Sequence, residues 1–192
     1  MRSIDEAFDC AARLGRALQA RGWMVTTVES CTGGMIAMAL TETPGSSAWF
    51  DRGFVTYTNE AKQDLLGVPA SHIAHHGAVS QEVALAMALG ALRRAPLALL
   101  ALSVTGIAGP TGATPTKPVG TVVHGFAWRA AIGDPGGPPA AELPPEDSSG
   151  DTIRHRAMVC HYPGDRHQIR LAATIFALTQ ALPLVNGLHL PG

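Results

Sequence analysis

The sequence predicts an α/β layered domain. Apolar, β-branched runs alternate along the chain with longer stretches of helical periodicity, which is typical of a sheet covered by helices. Two of the apolar runs, residues 23–28 and 97–104, lead directly into glycine-rich turns. Because open α/β sheets bind ligands at the carboxyl ends of their strands, we expect a functional site at these two turns.

Two helices and two strands open the predicted order. Ser3 and Glu6 form a capping box at the start of the first helix, which ends at Gly22. The strand at residues 23–28 follows, and the second helix begins after the first glycine-rich turn. An aromatic and β-branched segment at residues 49–57 predicts the second strand.

Lys62 is predicted to lie in the first turn of a short third helix. Asn59 can cap this helix, and Gly67 and Pro69 end it. Since the helix follows the strand at residues 49–57, we expect the side chain of Lys62 near the carboxyl end of that strand.

The second half of the chain predicts two more helices and three strands. The helix at residues 81–94 is rich in alanine and leucine, which suits close packing against a sheet. Residues 133–150 are crowded with Pro, Gly, Ser and acidic residues, so we expect a flexible insertion there. The remaining predicted elements are strands at residues 97–104, 119–128 and 153–162, the last two as a hairpin, and a helix at residues 166–182 that ends before Pro183.

Composition favours one compact domain that acts on small molecules. The chain has 192 residues, of which 46% are hydrophobic, enough for one sizeable core over residues 1–192. A net charge of −1 argues against nucleic acid or an anionic membrane as a partner. The three cysteines form no CxxC pair, the N-terminus has acidic residues where a signal peptide would be basic and then apolar, and the longest apolar runs are too short to span a membrane. We therefore expect a cytoplasmic protein.

Several common site chemistries lack support in the sequence. The loop at residues 106–112 lacks the Lys-Ser/Thr ending of a phosphate-binding P-loop, and neither glycine stretch spells GxGxxG. The eight histidines show no zinc-binding spacing, so we expect no metal ion and no cofactor. Of the acidic residues expected at strand ends, Glu29, Glu60 and Asp165, the last two are explained equally well as helix-start residues.

The first glycine turn carries the densest set of reactive side chains. Ser30, Cys31 and Thr32 place three hydroxyl or thiol groups at a strand-to-helix turn, before Gly33 and Gly34. A helix start also offers unpaired backbone N–H groups to an anion. The alternative is an ordinary connection in which Ser or Thr caps the helix and glycine relieves crowding. The pattern alone leaves both interpretations open.

A serine nucleophile at this turn needs a base, and lysine is the available type. No histidine lies in the glycine turns, whereas the only two lysines, Lys62 and Lys117, lie beside predicted site loops. A lysine base must be neutral, which requires burial or nearby positive charge. The hydroxyl of Tyr57 can hydrogen-bond the Lys62 amine or relay a proton. The alternative is a chance placement of two lysines in an arginine-rich chain.

Six ordered blocks together resemble the CinA C-terminal domain family. They span nearly the whole chain, which makes them more specific than any single glycine motif, and Gly164-Asp165-Arg166 near the end agrees with them. The blocks are TVESCTGG (27–34), PGSS (44–47), RGFVTYTNEAK (52–62), HGAVS (76–80), SVTGIAGP (103–110) and KPVGTV (117–122).

The resemblance implies a fold and an activity. The implied fold is a three-layer α/β/α sandwich with a mostly parallel or mixed central sheet, assembled as a homo-oligomer without a metal ion. The family is associated with hydrolysis of nicotinamide mononucleotide to nicotinic acid mononucleotide and ammonia. A small-molecule nucleotide is therefore the expected substrate.

The resemblance also implies roles for individual residues. Ser30 becomes the nucleophile and Lys62 its general base, while Cys31 remains a rival nucleophile because a thiol at a helix start has a lowered pKa. The backbone amides of residues 32–34 are candidates for the oxyanion hole. The loop at residues 106–112 and Arg166 are candidates for holding the phosphate, and which loop holds which end of the nucleotide stays open. The other supporting or substrate-binding positions are Tyr57, Ser47, Thr105, Arg166, Cys31, Thr32, Gly33, Gly34, Gly106 and Gly109.

A second functional class stays open at this point. The same fold can bind a nucleotide or phosphate and act through a protein partner without turnover. The two hypotheses differ at Lys62, which a binding module can expose toward phosphate. An amidase needs it buried, neutral and within hydrogen-bond reach of Ser30.

Overall fold

The computed structural model describes residues 2–130 and 152–187. The helices in these ranges are α1 (Ile4–Arg21), α2 (Met35–Glu42), α3 (Asn59–Leu66), α4 (Ala70–His76), α5 (Gln81–Arg94) and α6 (Arg166–Val185), with a 3₁₀ turn at Ser46–Ala48. The strands are β1 (Met24–Glu29), β2 (Phe50–Val55), β3 (Ala98–Gly106), β4 (Thr121–Ala130) and β5 (Thr152–His161).

The described strands form one mixed sheet in the order β2-β1-β3-β4-β5. Strands β2, β1 and β3 are parallel, with Val28 of β1 level with Phe54 on one side and Ser103 on the other. Strands β4 and β5 add an antiparallel hairpin beside β3. Since β1 lies between two parallel neighbours, the three strands end at the same edge of the sheet, where the predicted turns lie.

Helices cover both faces of the sheet, which confirms the three-layer α/β/α prediction. Helices α1, α2 and α6 pack on one face around a core that includes Leu14, Leu102 and Phe126. Helices α3 and α5 pack on the other face, around Leu66 and Met87, and α4 lies against α5. Helix α5 lies close to the sheet, as its composition predicts, because a β-carbon at Gly125 of β4 would overlap the carbonyl oxygen of Ala84.

Helix α6 also has the length and apolar composition to cross a membrane, as judged from the described residues alone. More than half of the apolar stretch is buried inside the protein. Ile169, Leu178 and Val185 lie in the same core as α1 and the sheet. These contacts are those of a core helix.

Three details of the predicted helices were wrong. Thr58, not Asn59, caps α3, because its hydroxyl accepts the N–H of Ala61. The short helix α4 was not predicted, and no side chain caps its start, so the sequence carried little signal for it. Helix α6 continues through Pro183, since a proline near a helix end removes only one backbone bond while Val185 beyond it is fully buried.

The other predicted boundaries agree with the structure to within a few residues. Ser3 caps α1 and Gly22 ends it with a left-handed φ of 64°. The predicted hairpin is formed by β4 and β5. The predicted flexible insertion at residues 133–150 lies outside the described residues.

Close packing of α5 on α3 generates a stability prediction. A β-carbon at Gly90 would overlap the carbonyl oxygen of Leu66. Alanine gains about 1 kcal/mol of helix propensity, but overpacking against backbone costs about 1–3 kcal/mol. Because the contact is with backbone that cannot rotate away, we predict that Gly90→Ala lowers the free energy of unfolding, measured by urea denaturation.

The control for this prediction is Gln81→Ala, an exposed position in the same helix. It should change the free energy of unfolding by less than about 0.5 kcal/mol. A Gly90→Ala protein as stable as the wild type would contradict the close approach of the two helices.

Candidate active site

Ser30 follows the last residue of β1, at the carboxyl edge of the parallel strands. Its N–H donates to the carbonyl of Val104 in β3 at 2.9 Å, and its carbonyl accepts the N–H of Gly33 at 3.1 Å. Gly33 and Gly34 have φ angles of 60° and 97°, a left-handed region that favours glycine. The two glycines therefore allow the chain to turn sharply from β1 into α2 directly behind Ser30.

The buried carboxylate of Glu29 caps helix α2. Its oxygens accept the N–H groups of Gly34 and Ile36 at 3.0 Å each and of Ala37 at 2.8 Å. Both earlier interpretations of this helix start were therefore wrong in part. These amides are not unpaired, and neither Ser nor Thr caps the helix.

These bonds also leave fewer backbone amides for the expected oxyanion hole. The N–H of Gly34 is held by Glu29, and that of Gly33 by Ser30. Of the three amides expected to form it, only that of Thr32 has no acceptor within the described ranges.

Lys62 reaches the Ser30 hydroxyl from α3. Its Nζ lies 3.3 Å from Ser30 Oγ, and the side chain is only 1% exposed. The carbonyl oxygens of Thr56, Tyr57 and Thr58 lie within hydrogen-bond distance of the same Nζ, at 2.8, 3.3 and 3.4 Å. Burial lowers the pKa of the Lys62 amine from its ordinary value of 10.5, partly opposed by the negative charge that Cys31 carries when it is ionised.

A neutral Lys62 amine can use this geometry to accept a proton. A neutral amine has two N–H donors and one lone pair. Three carbonyl oxygens lie within reach, so the nearest, that of Thr56, can take one donor, and that of Tyr57 or Thr58 can take the other. The lone pair is then free to accept the proton of Ser30. The arrangement can therefore convert a serine hydroxyl into a nucleophile.

Cys31 lies in a different environment from Ser30. Its side chain is 5% exposed and packs in the core shared by α1, α2 and α6. Burial raises the pKa of the Cys31 thiol to about 12, although Arg170 and Arg166 favour the thiolate. The thiol is therefore protonated at neutral pH, which weighs against Cys31 as the nucleophile.

Tyr57 contacts the amine through its backbone rather than its ring. The carbonyl accepts from Lys62, while the hydroxyl accepts a 2.7 Å bond from Arg166 Nη2. The same guanidinium donates through Nη1 to the carbonyl of Gly109 at 2.8 Å. The expected hydroxyl-to-amine bond is thus absent from the structure, and Tyr57 and Gly109 are joined by Arg166.

Two predicted residues of the second glycine loop have structural contacts. Thr105 donates its hydroxyl to the carbonyl of Ala78, which ties the end of β3 to the segment before α5. A β-carbon at Gly106 would crowd Val122 of β4. Both residues lie at the same edge of the sheet as Ser30.

Ser47 does not lie near Ser30 within a single chain. It lies in the 3₁₀ turn before β2, where the neighbouring carbonyl of Trp49 accepts the N–H of Val25 at 2.7 Å. Because β1 and β2 are parallel, this turn lies at their amino ends, opposite Ser30. The expectation that Ser47 lines the Ser30 site was therefore wrong for a single chain.

Sequence reasoning missed Arg170 as a site residue. One helical turn after Arg166, it donates through Nε to the carbonyl of Cys31 at 3.0 Å and through Nη2 to that of Thr32 at 2.7 Å. The four-residue spacing of the two arginines places them on one face of α6, which is the signal that could have identified Arg170.

The second lysine contacts the end of α4, and the described histidines belong to no metal-binding group. Lys117 donates to the carbonyl of His76, at the end of α4. Over residues 2–130 and 152–187, no three His, Cys, Asp or Glu side chains come together as a group that could hold a metal ion.

Comparison with known proteins identifies the family. The family model of the CinA C-terminal domain matches residues 7–132, so the chain belongs to the CinA C-terminal domain family. It is 47% identical over 174 residues to the nicotinamide-nucleotide amidohydrolase PncC of Enterobacter agglomerans, covering 91% of this chain and 92% of that protein. It is 44% identical over 173 residues to PncC of Escherichia coli K12, covering 90% and 91%.

Solved structures agree with this assignment. A CinA superfamily protein of Klebsiella pneumoniae 700603 superposes with a TM-score of 0.79 at 31% identity, covering 94% of this chain and 98% of that one. The competence/damage inducible protein CihA of Agrobacterium tumefaciens superposes with a TM-score of 0.76 at 41% identity, covering 94% and 96%.

The environment of Cys31 generates a prediction on thiol reactivity. Because the thiol is buried and its pKa is raised to about 12, the reactive thiolate is scarce. We predict that Ellman's reagent at about pH 8 leaves Cys31 unmodified in the native protein while it modifies Cys31 in denatured protein. Peptide mapping by mass spectrometry measures both. Rapid modification of Cys31 in the native protein would contradict the described environment.

Proposed function

We propose that this protein is a nicotinamide-nucleotide amidohydrolase, which hydrolyses nicotinamide mononucleotide to nicotinic acid mononucleotide and ammonia. The observation that carries the proposal is the buried Lys62 amine 3.3 Å from Ser30 Oγ. The named activity of relatives that are 44–47% identical over about 90% of the chain supports the same substrate. In this proposal the whole chain forms a single amidase domain.

In the proposed mechanism, Ser30 attacks the carboxamide carbon while Lys62 accepts the hydroxyl proton. The Oγ–C bond forms and the carbonyl electrons move onto oxygen. When the tetrahedral intermediate collapses, the C–N bond breaks and Lys62 returns the proton to the departing ammonia. A water molecule then hydrolyses the ester by the same proton transfers, releasing the carboxylic acid and restoring Ser30.

The proposed nucleotide contacts lie around Arg166. This guanidinium sits at the start of α6 and links the end of β2 to the loop after β3 through Tyr57 and Gly109. A planar guanidinium binds phosphate through two parallel hydrogen bonds. We place the 5′-phosphate at Arg166 and the loop at residues 106–112, with Tyr57, Thr105 and Gly106 as supporting positions.

The burial of Lys62 favours the enzyme over a binding module. A module that binds phosphate gains from a charged, accessible lysine, whereas this amine is 1% exposed and lies against a hydroxyl. Burial of an amine is costly, since desolvation disfavours its charged form. A lysine buried against a hydroxyl therefore favours a chemical role over a binding role.

The remaining parts of the proposal concern assembly and location. We propose a homo-oligomer because the ten-residue strand β5 is the outermost strand of the sheet and offers backbone hydrogen-bonding groups to a second chain. Val159 on this strand is 46% exposed. We also propose a cytoplasmic location without nucleic-acid or membrane partners, supported by the near-zero net charge and three free cysteines. No metal ion has a step in the proposed mechanism.

Ammonia release from nicotinamide mononucleotide by purified protein tests the activity. We predict turnover by the wild type and losses of about 10²–10⁴-fold or more in kcat for Ser30→Ala and Lys62→Ala, because each removes a reacting group. Cys31→Ala and a chelator should leave most of the activity. A folded wild type that binds the nucleotide without releasing ammonia would favour the binding module instead.

The pH dependence of kcat/KM tests the protonation state of Lys62. Because burial lowers the pKa of Lys62, the neutral form that accepts a proton grows as pH rises through that lowered value. We predict a kcat/KM that rises with pH along a limb whose midpoint lies below 10.5, the ordinary pKa of lysine. Lys117→Arg, which leaves the buried amine in place, should keep the same limb. A limb at or above 10.5 would contradict the neutral-amine mechanism.

A further inference from the structure

Helix α6 ties together the chain segments that follow all three parallel strands. Arg166 donates to Tyr57 after β2 and to Gly109 after β3. Arg170 donates to the carbonyls of Cys31 and Thr32 after β1. The first group of contacts is part of the proposed substrate site, whereas the second holds two backbone carbonyls of the turn that follows Ser30.

The peptide unit between Thr32 and Gly33 links Arg170 directly to the nucleophile. In a trans peptide the C=O and the N–H point in opposite directions. Here the carbonyl of Thr32 accepts from Arg170 Nη2 at 2.7 Å, and the N–H of Gly33 donates to the carbonyl of Ser30 at 3.1 Å. A single rigid peptide plane therefore transmits the position of Arg170 to the backbone of Ser30.

The charge of Arg170 strengthens this link. A hydrogen bond from a guanidinium is stronger than one between neutral groups, and it polarises the peptide so that its N–H becomes a better donor. The second bond, from Nε to the carbonyl of Cys31 at 3.0 Å, fixes the preceding peptide as well. The fork thus holds two successive peptide units of the turn.

The start of α6 is itself held in place. The side chain of Asp165 accepts the N–H of Gln168, and that of Gln168 accepts the N–H of Asp165, which closes a capping box. Just before it, the hydroxyl of Tyr162 lies 3.0 Å from Nε2 of the fully buried His124. Arg170 therefore extends from a firmly anchored helix.

We propose that Arg170 is a positioning residue for the hydrolysis, which holds Ser30 opposite Lys62 through the turn at residues 31–33. The inference rests on the proposed function. A displacement of about 1 Å at a reacting group costs about 10²-fold in rate, and the 3.3 Å separation of Ser30 and Lys62 depends on where the turn lies. Loss of the fork therefore lowers kcat while substrate binding at Arg166 is kept.

The test compares Arg170→Lys and Arg170→Gln with the wild type. Lysine keeps the charge but cannot hold two carbonyls in the same geometry, so both variants should lose about 10²-fold in kcat, with KM changed by less than about threefold. Arg13→Gln is the matched control, because Arg13 donates to the sulfur of Cys10 on α1, outside the site. Its kcat should equal that of the wild type.

A second measurement separates this inference from the proposed substrate. A fluorophosphonate reacts with an activated serine, forming an Oγ–P bond at Ser30 and releasing fluoride while the proton passes to Lys62. The labelling rate of Ser30 should fall in both Arg170 variants but not in Arg13→Gln. Thermal unfolding of each variant shows whether the protein is folded during the assay.

The outcomes are distinct. Labelling of wild-type Ser30 without ammonia release would reject the proposed substrate and still test Arg170 through the labelling rates. Folded Arg170 variants with wild-type kcat and a wild-type labelling rate would overturn the inference. It would also be overturned if the loss of kcat and of labelling rate were fully explained by the fraction of each variant that is unfolded. A wild type that shows neither labelling nor turnover would overturn the inference and the proposed function together.

Discussion

The site depends on one buried contact, between the amine of Lys62 and the hydroxyl of Ser30. An amine removed from water favours its neutral form, and only that form has a lone pair for the serine proton. The carbonyls of residues 56–58 supply the polar partners that such a buried group requires. Two of these carbonyls are enough to take both N–H donors of a neutral amine, which leaves its lone pair for Ser30.

The topology of the sheet brings these groups together. Ser30 follows β1 and the carbonyls follow β2, and the two strands are parallel neighbours, so their carboxyl ends meet at one edge. The buried carboxylate of Glu29 holds the start of α2 behind Ser30. Helix α6, late in the sequence, adds Arg166 and Arg170 at the carboxyl ends of the same strands.

Much of this arrangement could be predicted from the sequence, because scarce residue types carry the chemistry. The chain has only two lysines, and Lys62 follows a strand. The residue positions that could not be predicted depend on which end of a strand a residue occupies and on where its side chain points in the folded chain. Ser47 belongs to a family-like block, yet it precedes β2 and so lies at the opposite edge of the sheet. The Tyr57 hydroxyl was expected at the amine, but the ring points to Arg166, a residue over 100 positions away.

Titration of the Lys62 side chain by nuclear magnetic resonance, with isotope-labelled lysine, tests the central claim most directly. The chain has only two lysines, so a Lys117→Arg variant assigns the remaining signal to Lys62. We predict a pKa below the ordinary 10.5 that matches the midpoint of the activity limb, so that activity rises as the neutral amine forms. A Lys62 pKa at or above 10.5 would mean a charged amine beside Ser30, and the proposed base would be contradicted.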